Sequence, residues 1–421
     1  MPNDPSHPRF GLIGEKLGHS LSPEIHAFLG DYDYQLYPLA PEALEAFVCE
    51  GPLTGFNVTI PYKRAVMSWC TELTERAQAI GAVNTIVRTP EGKILGDNTD
   101  YAGFLYQCER SGVDFHAKRC AVLGSGGASQ TVLAVLKALG AQPQVVSRHG
   151  GYTYETLASE AHTFEILVNT TPLGMYPNND ASPLASLEHF TRLEAVFDLI
   201  YNPLETRLMQ MAQKRGLIAV GGLSMLVMQA IKASERFQGK PVEQSRADAV
   251  LQHIQTRTEN IVLVGMPGSG KSTLGKKLAQ HLGRPFYDLD EVIRTESGRS
   301  PAQWIEEEGE ARFRDIETQV LAKLTQGHGT VIATGGGTVI RERNRDLMRQ
   351  NGRVIWLKRD LQALSTHGRP LSLRVGVEQL YREREPLYRA ASQLELLVQH
   401  KPDTTLEALL ALLAQPSGQG Q

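Results

Sequence analysis

Apolar and polar residues alternate in blocks along the chain, and the blocks repeat one design. Three short β-branched or aliphatic runs, Phe10–Ile13, Cys120–Leu123 and Ile261–Val264, each lead into a glycine-containing turn and read as strands. Helical spacing follows the second and third. Val132, Leu133, Leu136 and Leu139 share one face, and Leu274, Leu278 and Leu282 recur every four residues. Pro143–Val146 reads as a further strand and Pro23–Leu29 as a helix, with Ser20 and Ser22 placed to cap its start. Strands alternating with crossover helices predict α/β architecture with parallel sheets throughout. A polar stretch at 239–258 separates the apolar run Met225–Ile231 from the strand-like Asn260–Val264, so the chain restarts there. The Pro/Ser/Gly/Gln tail 415–421 is expected to be disordered, and there is no internal repeat.

At 421 residues the chain has room for two to four domains. Its hydrophobic fraction of 41% and charged fraction of 21% are those of a globular protein. The net charge of -3 hides an asymmetry: residues 1–250 carry 20 Lys+Arg against 26 Asp+Glu, and residues 251–421 carry 23 against 20. Arginine supplies 17 of those 23 cations, interspersed with acids, which suits carboxylate or phosphate recognition and argues against a nucleic-acid surface. Cys49, Cys70, Cys108 and Cys120 form no C-x-x-C pair and read as reduced thiols. The N-terminus lacks a signal-peptide pattern, and no apolar run approaches the roughly 18 residues of a membrane span. A cytoplasmic multidomain enzyme is expected.

The sharpest motif is Gly265-Met-Pro-Gly268-Ser269-Gly270-Lys271-Ser272, a G-x-x-x-x-G-K-[ST] loop between a strand and a helix. In such a loop backbone N–H groups cradle nucleotide phosphates, the Lys reaches the β/γ-phosphates and the Ser hydroxyl can ligate Mg²⁺. Asp288 and Asp290 lie just beyond a short apolar run, where one carboxylate can hold the metal and the other a substrate hydroxyl. No Asn-Lys-x-Asp guanine reader follows, which argues against a GTPase. Asp288-x-Asp290, Gly309-Glu-x-x-Phe313-Arg314-x-x-Glu317, Thr334-Gly335-Gly336-Gly337, Arg369-Pro370-Leu371 and Arg384-x-Pro386-Leu387-Tyr388 then occur in the order seen in shikimate kinases. Residues 258–414 resemble that family, and with it a P-loop, nucleoside-monophosphate-kinase-like parallel α/β domain.

The resemblance implies roles for individual residues. Gly268, Ser269, Gly270, Lys271, Ser272 and Thr273 would bind ATP, and Ser272 with Asp288 would hold Mg²⁺. Asp290 would bind and activate a shikimate hydroxyl, Arg314 and Arg384 would clamp the substrate carboxylate, and Gly336 would give the ring close backbone access. Arg369 would act from a lid over ATP, stabilising charge on the transferring group. The segment before Arg369 is shorter than usual and lacks an arginine commonly found there, with His367 a weaker substitute.

In the first half, Gly124-Ser125-Gly126-Gly127-Ala128 turns a strand into a helix in the manner of a dinucleotide-binding fold. The next strand ends in Ser147-Arg148, where such folds usually place an acid for the ribose 2′-hydroxyl; a cation there favours a 2′-phosphate, hence NADP over NAD. Around this lie His19-Ser20-Leu-Ser22-Pro23-x-x-His26, Gly55-Phe56-Asn57-Val58-Thr59-Ile60-Pro61-x-Lys63, Gly81-Ala82-Val83-Asn84-Thr85 and Gly96-Asp97-Asn98-Thr99-Asp100. Asn169-Thr170-Thr171-Pro172-Leu173-Gly174-Met175, Asp198-x-x-Tyr201-Asn202-Pro203 and Gly222-Leu223-Ser224-Met225-Leu226-Val227-x-Gln229 follow downstream. Together they resemble shikimate dehydrogenase over residues 9–238. That resemblance implies a substrate lobe at 1–98 plus 222–240, a Rossmann-type NADP lobe at 99–221 and a linker at 241–257. Ala27, Ser147, His149 and Ser224 depart from the family's usual residues, and the chain is short before Gly55.

Ketone reduction needs a hydride donor and a general acid beside the carbonyl. Lys63 and Asp100 are the residues the resemblance puts in that role. Ser20, Ser22 and Tyr201 would bind the substrate carboxylate, while Thr59, Asn84, Asp100 and Gln229 would read its hydroxyl and keto groups. Gly124, Ser125, Gly126, Gly127, Ala128, Arg148, Thr170, Gly222 and Met225 would line the NADP site. The implied function is a fusion in which 3-dehydroshikimate is reduced to shikimate with NADPH and shikimate is phosphorylated with MgATP. The rivals are an NAD-using quinate/shikimate dehydrogenase fused to the kinase and an inactive metabolite sensor. Neither nucleic acid nor membrane is expected as a partner, and homo-oligomerisation is left open.

Overall fold

The computed structural model describes residues 9–18, 20–364, 376–399 and 401–414. They form two compact units: the chain up to Tyr201 with Leu208–Ile254, and Asn202–Arg207 with the chain from Gln255. His19, Arg369, His367 and the tail 415–421 lie outside the described residues.

The first unit opens with a six-stranded sheet of β1 (Arg9–Gly14), β2 (Asp33–Pro38), β3 (Gly55–Val58), β4 (Glu72–Leu73), β5 (Thr85–Arg88) and β6 (Ile94–Asp97), in the order β2-β1-β3-β5-β6-β4. β1 pairs in parallel with β2 and β3, as the first apolar block predicts. The expectation of parallel pairing throughout fails at β5, which runs antiparallel to both β3 and β6. Only five residues, 89–93, join β5 to β6, too few for the crossover a parallel pair needs. Ile13, Phe56, Val58, Val83 and Ile86 form the core on one side of this sheet.

Helix Asp100–Arg110 carries the chain into a second sheet of β7 (Arg119–Leu123), β8 (Gln142–Val146), β9 (Ile166–Asn169), β10 (Ala195–Asp198) and β11 (Ile218–Val220). Its order is β11-β10-β9-β7-β8, all parallel, with β7 at the point where the connections change direction. Ligands bind at such switch points, beyond the carboxyl ends of the strands. Helix Gly127–Ala138 follows β7 and buries Val132 and Leu136 from the predicted apolar face. Helix Leu223–Gln238 then packs along Asp100–Arg110. The approach is close at Gly103, where an added Cβ would lie 2.6 Å from the Met225 carbonyl oxygen.

Residues 241–257, read as a linker, are mostly helix: Gln244–Thr258. Ala247, Val250 and Ile254 recur at helical spacing and are buried with Ile25, Leu29, Val227 and Ile231. Three apolar positions in a polar stretch suffice to seat a helix.

The second unit is a five-stranded parallel sheet of β12 (Asn260–Val264), β13 (Phe286–Asp288), β14 (Val331–Ala333), β15 (Gly352–Lys358) and β16 (Leu394–Leu397), in the order β13-β14-β12-β15-β16. The predicted helix runs Lys271–Leu282 and buries Leu274 and Leu278 against β12 and β14. Val262, Val264, Ile332, Val354 and Trp356 pack the other face. Among the described residues no helix is long and apolar enough to cross a membrane.

Candidate active sites

Lys63 lies just after β3, and its Nζ is 2.6 Å from Oδ2 of Asp100, which opens the helix Asp100–Arg110. The Lys63 carbonyl oxygen accepts the Val83 N–H at 2.8 Å, tying the lysine to the strand that delivers Asn84. Both side chains are mostly shielded from solvent, so the pair is a held cation rather than a surface charge. Asn84 is buried, and its Oδ1 accepts the Thr99 N–H at 2.7 Å, which leaves the Nδ2 protons as what it offers a ligand. Thr59 is half-buried and anchored by its N–H to the Ile13 carbonyl at 2.9 Å.

Ser20 and Ser22 are neighbours, Oγ to Oγ 3.1 Å. They do not cap the helix: Leu21 occupies the N-cap position with helical backbone angles, Ser22 is already in the first turn, and Ser20 Oγ accepts the Ser22 N–H. Tyr201 is half-buried past β10, and burial raises its hydroxyl pKa. Gln229 projects from helix Leu223–Gln238 toward Asp100–Arg110, with its Cβ 3.2 Å from where a Gly103 Cβ would stand.

The glycine turn after β7 is shaped for a bulky occupant. Gly124 has φ +110° and donates its N–H to the Val146 carbonyl at 2.8 Å; a Cβ there would meet Thr170 Oγ1 at 2.8 Å. At Gly126 and Gly127 an added Cβ would meet nothing within 4 Å, so the lip of the helix N-terminus is bare backbone facing open space. A pyrophosphate fits such a lip. Ser125 is exposed and Ala128 half-buried along the same turn. Arg148, beyond β8, is exposed and forms no ion pair with a described residue. Gly222 is buried against the Leu199 carbonyl, where a Cβ would come to 2.1 Å, and Met225 follows one turn into the helix.

In the second unit Gly265, Gly268 and Gly270 all have positive φ, as the tight loop requires. Lys271 Nζ donates to the Gly265 and Met266 carbonyls at 2.8 and 3.0 Å. Ser269 is fully buried with its Oγ lacking a hydrogen-bond partner among the described residues. Ser272 Oγ donates to Asp288 Oδ2 at 2.5 Å, so the two residues expected at a metal stand together, with Thr273 one position on. Asp288 Oδ1 accepts the Asp290 N–H and so caps helix Leu289–Ser297. Mg²⁺ typically takes one or two protein ligands and fills its shell with water and phosphate, which this sparse pair fits. Burial, then the charges of Asp288 and Glu317, push Asp290 up to about 6, with Lys271 and Arg314 pulling it down.

The glycine run after β14 meets the arginines. Arg384 Nη1 and the Tyr388 hydroxyl both donate to the Gly336 carbonyl, at 3.1 and 2.5 Å. An added Cβ on Gly337 would lie 2.4 Å from Arg314 Nη2. Arg314, buried, is held by Glu317 at 3.0 Å and Glu310 at 2.9 Å. A Cβ on Gly335 would meet Asp290 Oδ1 at 3.0 Å, so Asp290, Arg314, Gly336 and Arg384 gather around one loop.

Comparison with known proteins separates the two units. The shikimate dehydrogenase (NADP(+)) of Clostridium perfringens strain SM101 is 40% identical over 270 residues, 59% of this chain and 98% of that protein. The chain belongs to the shikimate dehydrogenase family. The dehydrogenase of Methanopyrus kandleri is equally similar, 40% over 278 residues, covering 58% of this chain and 95% of its own length. The family model of the shikimate dehydrogenase substrate-binding domain matches residues 12–86, and that of shikimate kinase matches 267–414. A chorismate mutase/shikimate 5-dehydrogenase fusion protein from Clostridium acetobutylicum is structurally similar at a TM-score of 0.55 and 36% identity, over 59% of this chain and 97% of that one. A shikimate 5-dehydrogenase of Thermus thermophilus, solved with NADP(H) and shikimate, scores 0.53 at 31% identity, over 58% of this chain and 99% of its own.

Within the dehydrogenase unit a supporting network went unassigned in the sequence. Tyr34 donates to Asn57 Oδ1 at 2.8 Å, and Asn57 Nδ2 reaches Thr85 and the Asn84 carbonyl at 3.0 and 3.2 Å. His26 stacks on Tyr34 with ring centroids 3.8 Å apart, and burial lowers it to about 3. In the kinase unit the unassigned members are Glu317, fully buried between Arg314 and Thr338, and Tyr388 on Gly336. Asn57, Glu317 and Tyr388 belong to quoted motifs; Tyr34 has no signal in the sequence.

Proposed function

We propose that the first unit reduces 3-dehydroshikimate to shikimate with NADPH and that the second phosphorylates shikimate with MgATP. The observation that carries the first reading is the shielded Lys63–Asp100 pair at 2.6 Å, a proton donor held by a carboxylate. NADPH, when bound, supplies the hydride. Lys63 gives a proton to the ketone oxygen, and Asp100 keeps its ammonium oriented and charged until then. Ser20, Ser22 and Tyr201 bind the substrate carboxylate, and Thr59, Asn84 and Gln229 read its hydroxyl and keto groups. Gly124 to Ala128, Thr170, Gly222 and Met225 hold the cofactor, with Arg148 on its 2′-phosphate.

In the second unit Asp290 receives the proton of the attacking hydroxyl while Arg314 and Arg384 position the carboxylate. Lys271 and the loop from Gly268 to Thr273 would hold the triphosphate, Ser272 and Asp288 would hold Mg²⁺, and Arg369 would stabilise charge on the transferring group. The proposal places the dehydrogenase in residues 1–240 and the kinase in 258–414 of a cytoplasmic protein whose partners are small molecules.

The test is a coupled assay of the full chain with 3-dehydroshikimate, NADPH and MgATP, following NADPH loss and shikimate 3-phosphate together. Formation of phosphate ester that depends on NADPH supports both halves. Folded protein that consumes no NADPH overturns the first half, and one that leaves added shikimate unphosphorylated overturns the second.

A further inference from the structure

Arg359 has no motif to mark it. It follows β15, next to the strand β12 that launches the phosphate loop, and parallel pairing sets Val264 opposite Trp356. This register brings the end of β15 alongside the loop. Arg359 Nη1 donates to the Gly268 carbonyl oxygen at 3.3 Å, inside the loop itself. It is also the nearest atom to a Cβ added at Gly270, at 4.0 Å, in space otherwise open.

Arg359 is half-buried and forms no ion pair with a described residue, although Asp360 is next in sequence. Asp360 instead uses its carboxylate to accept the Gln362 N–H. A half-buried arginine without an acid beside it is a ready partner for an anion. It has five donors, of which the Gly268 contact occupies one.

We propose that Arg359 is a nucleotide-binding residue that neutralises the bound polyphosphate from its place beside the Gly268 carbonyl of the loop. The inference rests on the kinase reading of the second unit. Its contact with Gly268 fixes the guanidinium in advance, so the remaining N–H groups meet the phosphates at little cost in side-chain entropy. A resident cation at the loop adds to the charge that Lys271 and Mg²⁺ set against the triphosphate.

The test measures ATP and ADP binding to the full chain by calorimetry, without substrate turnover, in wild type, Arg359→Gln and Arg359→Lys. Arg359→Gln is expected to weaken both nucleotides about tenfold, the usual scale of one charge-assisted hydrogen bond. Arg359→Lys should recover part of the loss. The dependence of ATP affinity on salt should become shallower in Arg359→Gln only, a change that loss of mere loop support would not produce. Shikimate binding and NADPH oxidation should stay within about twofold and report that both units are folded. ATP affinity within about twofold of wild type in Arg359→Gln, or an unchanged salt dependence, overturns the proposal. A wild-type chain that binds no ATP overturns the kinase reading instead, so the two failures are distinguishable.

Discussion

At the scale of single residues, function follows from which charges are held and which are left available. Lys63 is held by Asp100 at 2.6 Å, so Lys63→Ala should cost NADPH oxidation about 10²-fold or more, on the order of general-acid contributions. Shikimate phosphorylation by the same variant should be unchanged. Lys271→Ala should do the reverse, and loss of both activities in either variant would contradict two separate sites. Arg148 is exposed and pairs with no acid among the described residues, so Arg148→Ala should raise KM for NADPH about tenfold while leaving KM for NADH unaltered. An equal effect on both cofactors would deny it the 2′-phosphate.

Elements decide which glycines matter to folding and which to ligands. Gly126 has φ −78°, an ordinary value, and open space beyond it. Gly126→Val should therefore fold to within about 0.5 kcal/mol of wild type, as exposed substitutions do, yet lose NADPH binding, readable by fluorescence titration. Gly222 is the opposite case: a Cβ would meet the Leu199 carbonyl at 2.1 Å, so Gly222→Ala should destabilise the dehydrogenase unit by about 1–3 kcal/mol in urea unfolding. The strand-to-glycine-to-helix units were legible in the sequence because a phosphate-binding turn demands glycine at set positions and a strand before it. The antiparallel β5–β6 pair was not, since two four-residue strands joined by five residues carry no periodicity that fixes direction. Helix Gln244–Thr258 is hard to tell from a linker because only Ala247, Val250 and Ile254 mark its buried face. Site residues inside long motifs were legible, whereas Tyr34 and Arg359 act through contacts distant in sequence, 23 and 91 residues away, which no local pattern encodes.

For the molecule as a whole, buried titratable groups set how the dehydrogenase unit tolerates acid. His26 is buried and held near a pKa of about 3, while an unfolded histidine takes up its proton near 6.5. Below pH 6.5 the unfolded chain therefore binds the extra proton, and stability falls as the pH drops toward 3, by up to about 1.4 kcal/mol per pH unit. Urea unfolding of the wild type against His26→Gln should show that slope in the first and its loss in the second; parallel curves would sink the assignment. The placement of the four free cysteines has a practical consequence. All lie in the first 120 residues: Cys49 is exposed, Cys108 and Cys120 are buried, and burial pushes the Cys70 thiol up to about 11 and Cys120 to about 12. A maleimide dye added to the native protein should accordingly attach at Cys49 alone. It would report on the 3-dehydroshikimate half of the chain while leaving the ATP half spectroscopically silent, so one label can show which half a ligand has reached.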